Sequence, residues 1–396
     1  MTHLGRPSWP RYLENRRRNK FTVVQVHCGS GFTKLVTDRA GNAPFSGTGA
    51  ALQWNPAYWQ GVEQKVRAAN DRGLVVFICA VRQPGTGFPA KDFPEKDPEE
   101  VARFARNLAA RLMGDFVVYS PVADDEWSPL ADAAGESLDR ATALHLISAH
   151  PRFLLGPAAT FRDKAYVDAA GLQTGEGWTY DPYKKEPRQP FSTLLAARNA
   201  REWPLDFYRR TPVKPVINHE GPYDHPIEPD GRVPLPPRKA GYWSFLSGAC
   251  GFTYGCFGIW NWGQPVKWYP AYDFQTALDL PSVAQMKYLA EFFGGIRWWT
   301  LEPHPEAVLD QTDDPLHKMG FARSAAGDLA VAYLPDNAGI SLNPAGLSAV
   351  LRARWFNPQD GRFAPAAAVA AGTPAATIYR RPADWEDAVL ILDQQP

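Results

Sequence analysis

Two textures alternate from Phe21 onward. Short apolar runs rich in Val, Ile and Phe are followed by longer stretches whose apolar residues recur at helical spacing. Residues 21–27 read as a strand. Asn55-Pro56 then opens a helix with Tyr58, Trp59, Val62 and Val66 on one face, and Gly73 stops it. Residues 74–81 are apolar on both faces, the signature of a strand covered by helices on both sides of a parallel sheet. The cycle repeats with a helix from Asp97-Pro98 to Leu112 and a strand at 116–119. A helix at 137–150 and a weak strand at 153–155 follow, then a helix at 161–169 and a short strand at 171–175. The series ends with a helix at 191–210, a strand at 213–218, a helix at 237–247, a strand at 252–260 and a helix at 281–293.

Seven strands alternating with helices predict an α/β fold with a parallel sheet, and the regularity favours a (β/α)₈ TIM barrel. No G-x-G-x-x-G fingerprint supports a doubly wound sheet. The chain opens on helical residues 10–20, so the barrel is expected to lack its first strand. After Trp298-Trp299 the helical period is lost. Short strands at 318–322 and 329–334, joined by an Ala326-Gly327-Asp328 turn, continue at 350–356, 377–379 and 388–392. They predict a small antiparallel β-sandwich, with an Ala/Pro-rich surface connection at 364–376. The domain division is therefore 1–302 for the barrel and 303–396 for the sandwich. The link at 299–305 is short and not flexible in composition, so the sandwich is expected to pack on the barrel rather than act as a tethered anchor.

Composition narrows the function classes. Lys plus Arg and Asp plus Glu both number 42, which removes the electrostatic case for nucleic acid or an anionic membrane as partner. No apolar run is long enough for a membrane span, and the first residues carry no apolar leader segment, so localisation is left open. Cys28, Cys79, Cys250 and Cys256 form no C-x-x-C pair and are expected to be buried thiols, with a Cys250–Cys256 bridge left open. The 14 Trp suit both a core and a sugar cleft, where an indole stacks on a sugar ring.

In a barrel of this kind chemistry sits at the carboxyl ends of the strands. The stretch 211–224 is the sharpest case: a buried strand, then Glu220, then a Gly221-Pro222 break and Tyr223. Other strand ends offer Gln25, His150, Gln173, Glu176, Tyr254, Trp260 and Trp262, and the loop after 116–119 offers Asp124, Asp125 and Glu126. Two carboxyl groups on separate strand ends suit glycoside hydrolysis, one protonating the leaving oxygen and the other attacking the anomeric carbon or activating water. His219-Glu220 with Asp224-His225 misses the H-E-x-x-H helical spacing, so no metal is assigned, and no cofactor is called for. No G-x-S-x-G elbow appears.

Three runs carry a family resemblance. Residues 214–223, KPVINHEGPY, are similar to "KPVLDGEPxYE"; residues 238–260 track "RRAAYWSLLAGACGHTYGxxGIW"; and residues 354–361, RWFNPQDG, are similar to "RWFDPRTG". The chain resembles the apiosidase-like glycoside hydrolases of family 140, which join a (β/α)₈ barrel to a small C-terminal domain named collagen-binding. The resemblance implies Glu220 as nucleophile and Asp124, at the family's "GGD" or "FSPxxD" position, as acid/base. It implies a retaining, exo-acting hydrolase of polysaccharide side-chain sugars, with a carbohydrate as substrate and no stated oligomeric state. Three departures stand out: the opening "GDTAW" strand is not found, "QSGH" reads Gln173-Thr-Gly-Glu176, and "GGD" reads Val122-Ala-Asp124. A catalytically impaired carbohydrate-binding protein of the same fold is the alternative these departures leave open.

Overall fold

The computed structural model describes residues 8–27, 37–47, 53–82, 97–125, 127–152, 161–175, 193–227, 233–260, 262–263, 271–348, 351–369 and 376–394. The chain divides into two compact units, residues 1–173 and 174–396. Among the described residues, no helix is long and apolar enough to cross a membrane.

The first unit holds helix α1 (Ser8–Arg18), strand β1 (Val23–His27), the short hairpin β2 (Phe45–Ser46) and β3 (Gln53–Trp54), α2 (Pro56–Asn70), β4 (Val75–Arg82), α3 (Pro98–Arg111), β5 (Val117–Asp125), α4 (Pro129–Ala141), β6 (His150–Pro151) and β7 (Ala170–Gln173). Its helices start where their caps dictate. Asn55, Asp97 and Ser128 each accept a backbone N–H of the first turn, and a proline follows each of them directly. Tyr58, Trp59, Val62 and Val66 of α2 and Val101, Phe104 and Leu108 of α3 are the buried stripes. β1, β4, β5 and β6 form one parallel sheet in that order, with Gln25 opposite Phe77 and His27 opposite Cys79. Every residue from Val76 to Val81 is buried, as expected of a strand covered on both faces.

The second unit continues with α5 (Thr193–Arg209), β8 (Val216–Glu220), β9 (Tyr223–Asp224), α6 (Pro237–Leu246), β10 (Ala249–Phe252), β11 (Gly255–Cys256), α7 (Phe274–Leu278) and α8 (Pro281–Gly294). β8 pairs with β10 and β9 with β11, all parallel. The strand–helix alternation thus runs through both units, the connectivity of a partial (β/α)₈ barrel.

Nine more strands follow: β12 (Leu301–Pro303), β13 (Gly320–Ser324), β14 (Leu329–Leu334), β15 (Gly339–Leu342), β16 (Arg352–Phe356), β17 (Phe363–Pro365), β18 (Ala368–Val369), β19 (Thr377–Arg380) and β20 (Ala388–Asp393). They form a six-stranded antiparallel sheet, ordered β12-β13-β14-β20-β16-β17, and a three-stranded one, β15-β19-β18. Phe321, Leu334, Ile340, Leu342, Trp355 and Leu390 fill the core of this sandwich.

Helices α6 and α8 pack against the large sheet. Trp243 donates its indole N–H to the Lys318 carbonyl at 2.8 Å, Tyr242 stacks on Tyr333 at 5.1 Å, and Phe292 meets Phe356 at 4.8 Å. A buried charge pair lies in the same contact. Arg238 on α6 donates to Asp387 at 3.0 Å, and the Tyr333 hydroxyl donates to the same carboxylate at 2.8 Å. Burial raises the Asp387 carboxyl above its usual range, and Arg238 and Tyr333 offset part of that.

Several element expectations are corrected. The helix expected at 137–150 is α4, which starts eight residues earlier at the Ser128-Pro129 cap and ends at Ala141. The helix expected at 161–169 is a single 3₁₀ turn, Phe161–Asp163. The strand expected at 252–260 is corrected: β10 ends at Phe252, β11 covers only Gly255–Cys256, and residues 257–260 are turn. The weak strand at 153–155 lies outside the described residues, and the parallel pairing falls instead at β6. The strand at 213–218 starts only at Val216. Residues 364–376 are not one surface connection: the end of β17 and all of β18 fall in them, and 370–375 are outside the described residues. Cys79, Cys250 and Cys256 are free, so no Cys250–Cys256 bridge forms; Cys28 lies outside the described residues.

Candidate functional site

Asp124 belongs to β5 itself rather than to the loop after it. Pro121 interrupts the ladder, since it has no N–H to give. The pairing with β6 then shifts register between Ala123 and Asp125, and Asp124 takes a left-handed backbone with φ of 52°. A bulge of this kind re-aims a side chain, and aspartate is among the residues that tolerate the left-handed region best. The Asp124 N–H points to Nδ1 of His150 at 3.4 Å, and its carboxylate lies 3.8 Å from the same nitrogen. His150 is buried, and its own N–H donates to the Ser120 hydroxyl at 2.9 Å. The β5 and β6 ends therefore hold Asp124 and His150 as one group.

Gln25 and Gln173, on β1 and β7, each bury a side-chain carbonyl oxygen that has no hydrogen-bond partner among the described residues. An unmet buried acceptor costs about 1–3 kcal/mol, which a hydroxyl donor from a ligand would recover.

In the second unit Glu220 is the last residue of β8 and is 8% exposed. Its backbone carbonyl accepts the N–H groups of Thr174 and Gly175 at 2.8 and 2.9 Å. This approach demands glycine: a Cβ on Gly175 would lie 1.8 Å from the Gly221 carbonyl oxygen. Two residues before Glu220, Asn218 donates to Thr174 Oγ1 at 2.7 Å and Ser244 Oγ at 3.1 Å. The end of β8 is thus clamped from the backbone and from below.

Beyond it, Tyr223 and Asp224 pair with Gly255 and Cys256. A Cβ on Gly255 would meet the Tyr223 ring at 1.7 Å, so the ring lies flat on that strand. Tyr254 donates its hydroxyl to Asp224 at 3.3 Å and lies 3.0 Å from Ser282 Oγ, which also donates to Asp224. Burial raises the Asp224 carboxyl, and the Ser282 and Tyr254 hydrogen bonds only partly offset this. Trp260 remains 36% exposed beside Phe257. Trp262, with φ of 52°, stacks on Phe274 at 4.9 Å. Glu176 lies outside the described residues.

Both units therefore present a carboxylate at the ends of parallel strands, and the second unit adds aromatic rings. In sequence, the family model described as "Apiosidase-like, catalytic domain" matches residues 1–300. The chain belongs to that family of glycoside hydrolases. A second model, described as "Putative collagen-binding domain of a collagenase", matches residues 303–393 of the apiosidase-like chain. No curated protein matches it in sequence.

Solved structures give the fold. A glycoside hydrolase superposes with a TM-score of 0.79 at 18% identity, covering 99% of this chain and 90% of that one. A family 5 glycoside hydrolase from Bacteroides vulgatus gives a TM-score of 0.81 at 18% identity, covering 99% and 87%. A family 30 subfamily 8 xylanase from Clostridium acetobutylicum gives 0.52 at 12% identity, covering 98% and 93%. The apiosidase-like chain thus carries a glycoside hydrolase barrel and a C-terminal β-domain.

Two features escaped the sequence reading. In sequence Asp224 enters only as a candidate metal ligand, yet it organises Tyr254 and Ser282. Trp127 follows Asp124 by three positions and is 51% exposed, which its place in a charged loop did not reveal.

Proposed function

We propose that this apiosidase-like chain is a retaining, exo-acting hydrolase of side-chain sugars on polysaccharides, with Glu220 as nucleophile and Asp124 as acid/base. The clamped, nearly buried Glu220 at the end of β8 carries the reading: a carboxylate fixed by its own backbone is preorganised for attack. In the first step a Glu220 oxygen attacks the anomeric carbon. The glycosidic bond breaks, and the leaving oxygen takes the proton of Asp124. In the second step Asp124, now a carboxylate, takes a proton from water, whose oxygen attacks the anomeric carbon and expels Glu220. His150 beside Asp124 holds the carboxyl in place through both steps. Gln25 and Gln173 are assigned to sugar hydroxyls, and Tyr223, Tyr254, Trp260 and Trp262 to the sugar faces and rim. Apiose, a branched furanose, is the sugar assigned by the family name.

The test is Glu220→Gln and Asp124→Asn on a panel of aryl furanosides and pyranosides. Glu220→Gln should lose about 10⁴-fold in kcat, and Asp124→Asn about 10²- to 10⁴-fold, less on substrates with good leaving groups. Full activity in either variant would sink the assignment. Proton NMR of the first-formed anomer decides the stereochemistry; inversion would remove the nucleophile role from Glu220.

The second reading, a binding protein without turnover, draws on one observation. β1 stands at the end of its sheet among the described residues. Sugar binding by the wild type with no hydrolysis of any panel member would favour it.

A further inference from the structure

Trp127 is an exposed indole that the fold holds still. It directly precedes Ser128, the cap of α4, and its N–H donates to Asp132 in the first turn of that helix at 2.7 Å. The Lys164 ammonium lies over its ring, 4.5 Å from the centroid, and donates to the same carboxylate at 2.8 Å. The Tyr166 hydroxyl closes the group, donating to the other Asp132 oxygen at 2.9 Å. Tyr166 is itself wedged against α4, where a Cβ on Gly135 would lie 2.3 Å from its ring. Burial alone would raise the Asp132 carboxyl, but these three donors outweigh it and keep it ionised below its usual range.

The result is a ring with its edge pinned and one face covered by a cation. No aromatic side chain among the described residues packs on it, and 51% of the residue is open to solvent. An indole of this kind that served only the core would be covered. An indole that served a protein interface would not be ringed by a carboxylate and an ammonium group, which favour a ligand rich in hydroxyls. Three residues of chain place it at most roughly 11 Å from Asp124.

We infer that Trp127 is a stacking platform for the saccharide on the leaving-group side of the scissile bond, oriented by Asp132 and Lys164. The side follows from the role of Asp124. The group that protonates the leaving oxygen faces the leaving sugar, and Trp127 follows the strand end that carries it. The inference rests on that part of the proposed function, and the following experiment separates the two.

Two substrates are compared on the full chain: apiosyl fluoride, whose leaving group has no ring, and an apiosyl disaccharide ending in a methyl pyranoside. Trp127→Ala should lower kcat/KM on the disaccharide about tenfold while leaving the fluoride within about twofold. Lys164→Met and Asp132→Asn should move the same ratio in the same direction by less. Equal loss on both substrates, or no loss on either, overturns the platform. A second readout is independent of turnover. The Trp127 indole N–H signal, identified by its disappearance in Trp127→Phe, is followed by NMR as methyl galactoside, glucoside, xyloside or rhamnoside is added. At least one should shift it saturably at millimolar concentration, in the wild type and in Glu220→Gln alike; no shift with any of them overturns the inference. If the wild type cleaves neither apioside, the choice of sugar fails, and the indole titration alone decides the platform.

Discussion

Asp124 and Glu220 stand at strand ends built in opposite ways. Around Asp124 the backbone is bent: a proline in the ladder, a register shift and a left-handed residue turn the side chain toward His150. Around Glu220 the backbone is clamped, with two N–H groups on its carbonyl and glycines at 175 and 255 that let neighbouring groups close in. The supports differ in range as well. Asp124 and Trp127 draw on Ser120 and His150 and on Asp132, Lys164 and Tyr166, all near them in sequence. The Glu220 end belongs to a body that includes α6 and the sandwich, tied by a pair 149 residues apart. A strand end set by a bulge and one set by a clamp should respond differently to damage.

The largest separation is expected from Asp387→Ala. It leaves Arg238 buried without its main partner, so it should cost about 3–5 kcal/mol in stability. Hydrogen exchange should rise in α6, β8 and β10 more than in β4 and β5. An equal rise in both sets would break the comparison, and a change below about 1 kcal/mol would show that the pair holds nothing.

Next comes Gly175→Ala. Its Cβ would collide with the Gly221 carbonyl oxygen, and overpacking against backbone costs about 1–3 kcal/mol. Because the displaced segment carries Glu220, kcat should fall more than the melting temperature suggests. Activity lost only in proportion to unfolded protein would argue against the clamp.

The smallest effect is a pH dependence. The Asp224 carboxyl is raised in the folded state by burial. Its contribution to stability is therefore full below the ordinary aspartate value of about 3.9 and is lost as pH rises through the raised native value. Asp224→Asn should gain melting temperature relative to the wild type as pH climbs through that window. A constant difference across the window would show that Asp224 titrates normally.

The order of strands and helices is legible because each obeys a local rule: caps at Asn55 and Asp97, an apolar run from Val75 to Val81 in β4, a Gly-Pro stop after Glu220. The start of α4 carries the same signal at Ser128-Pro129, eight residues before the helix expected from Ser137. Asp124 reads as loop in sequence because Ser120-Pro121 follows the apolar run at 116–119, yet the register with β4 continues past Pro121 and the strand runs on to Asp125. Arg238 with Asp387 could not be read at all: nothing near either residue in sequence marks a partner so far along the chain. Trp127 looks like any loop tryptophan until Asp132 and Lys164 are seen to hold it.

The Arg238–Asp387 pair also sets a timetable for synthesis. At about 5–20 residues per second, the carboxylate leaves the ribosome roughly 7–30 s after the guanidinium, a separation of 149 residues. For that interval Arg238 on α6 lacks its carboxylate, which awaits a segment not yet translated. The nascent chain is thus most exposed to chaperones, and to misassembly with its neighbours on a polysome, while its C-terminal strands are still being made.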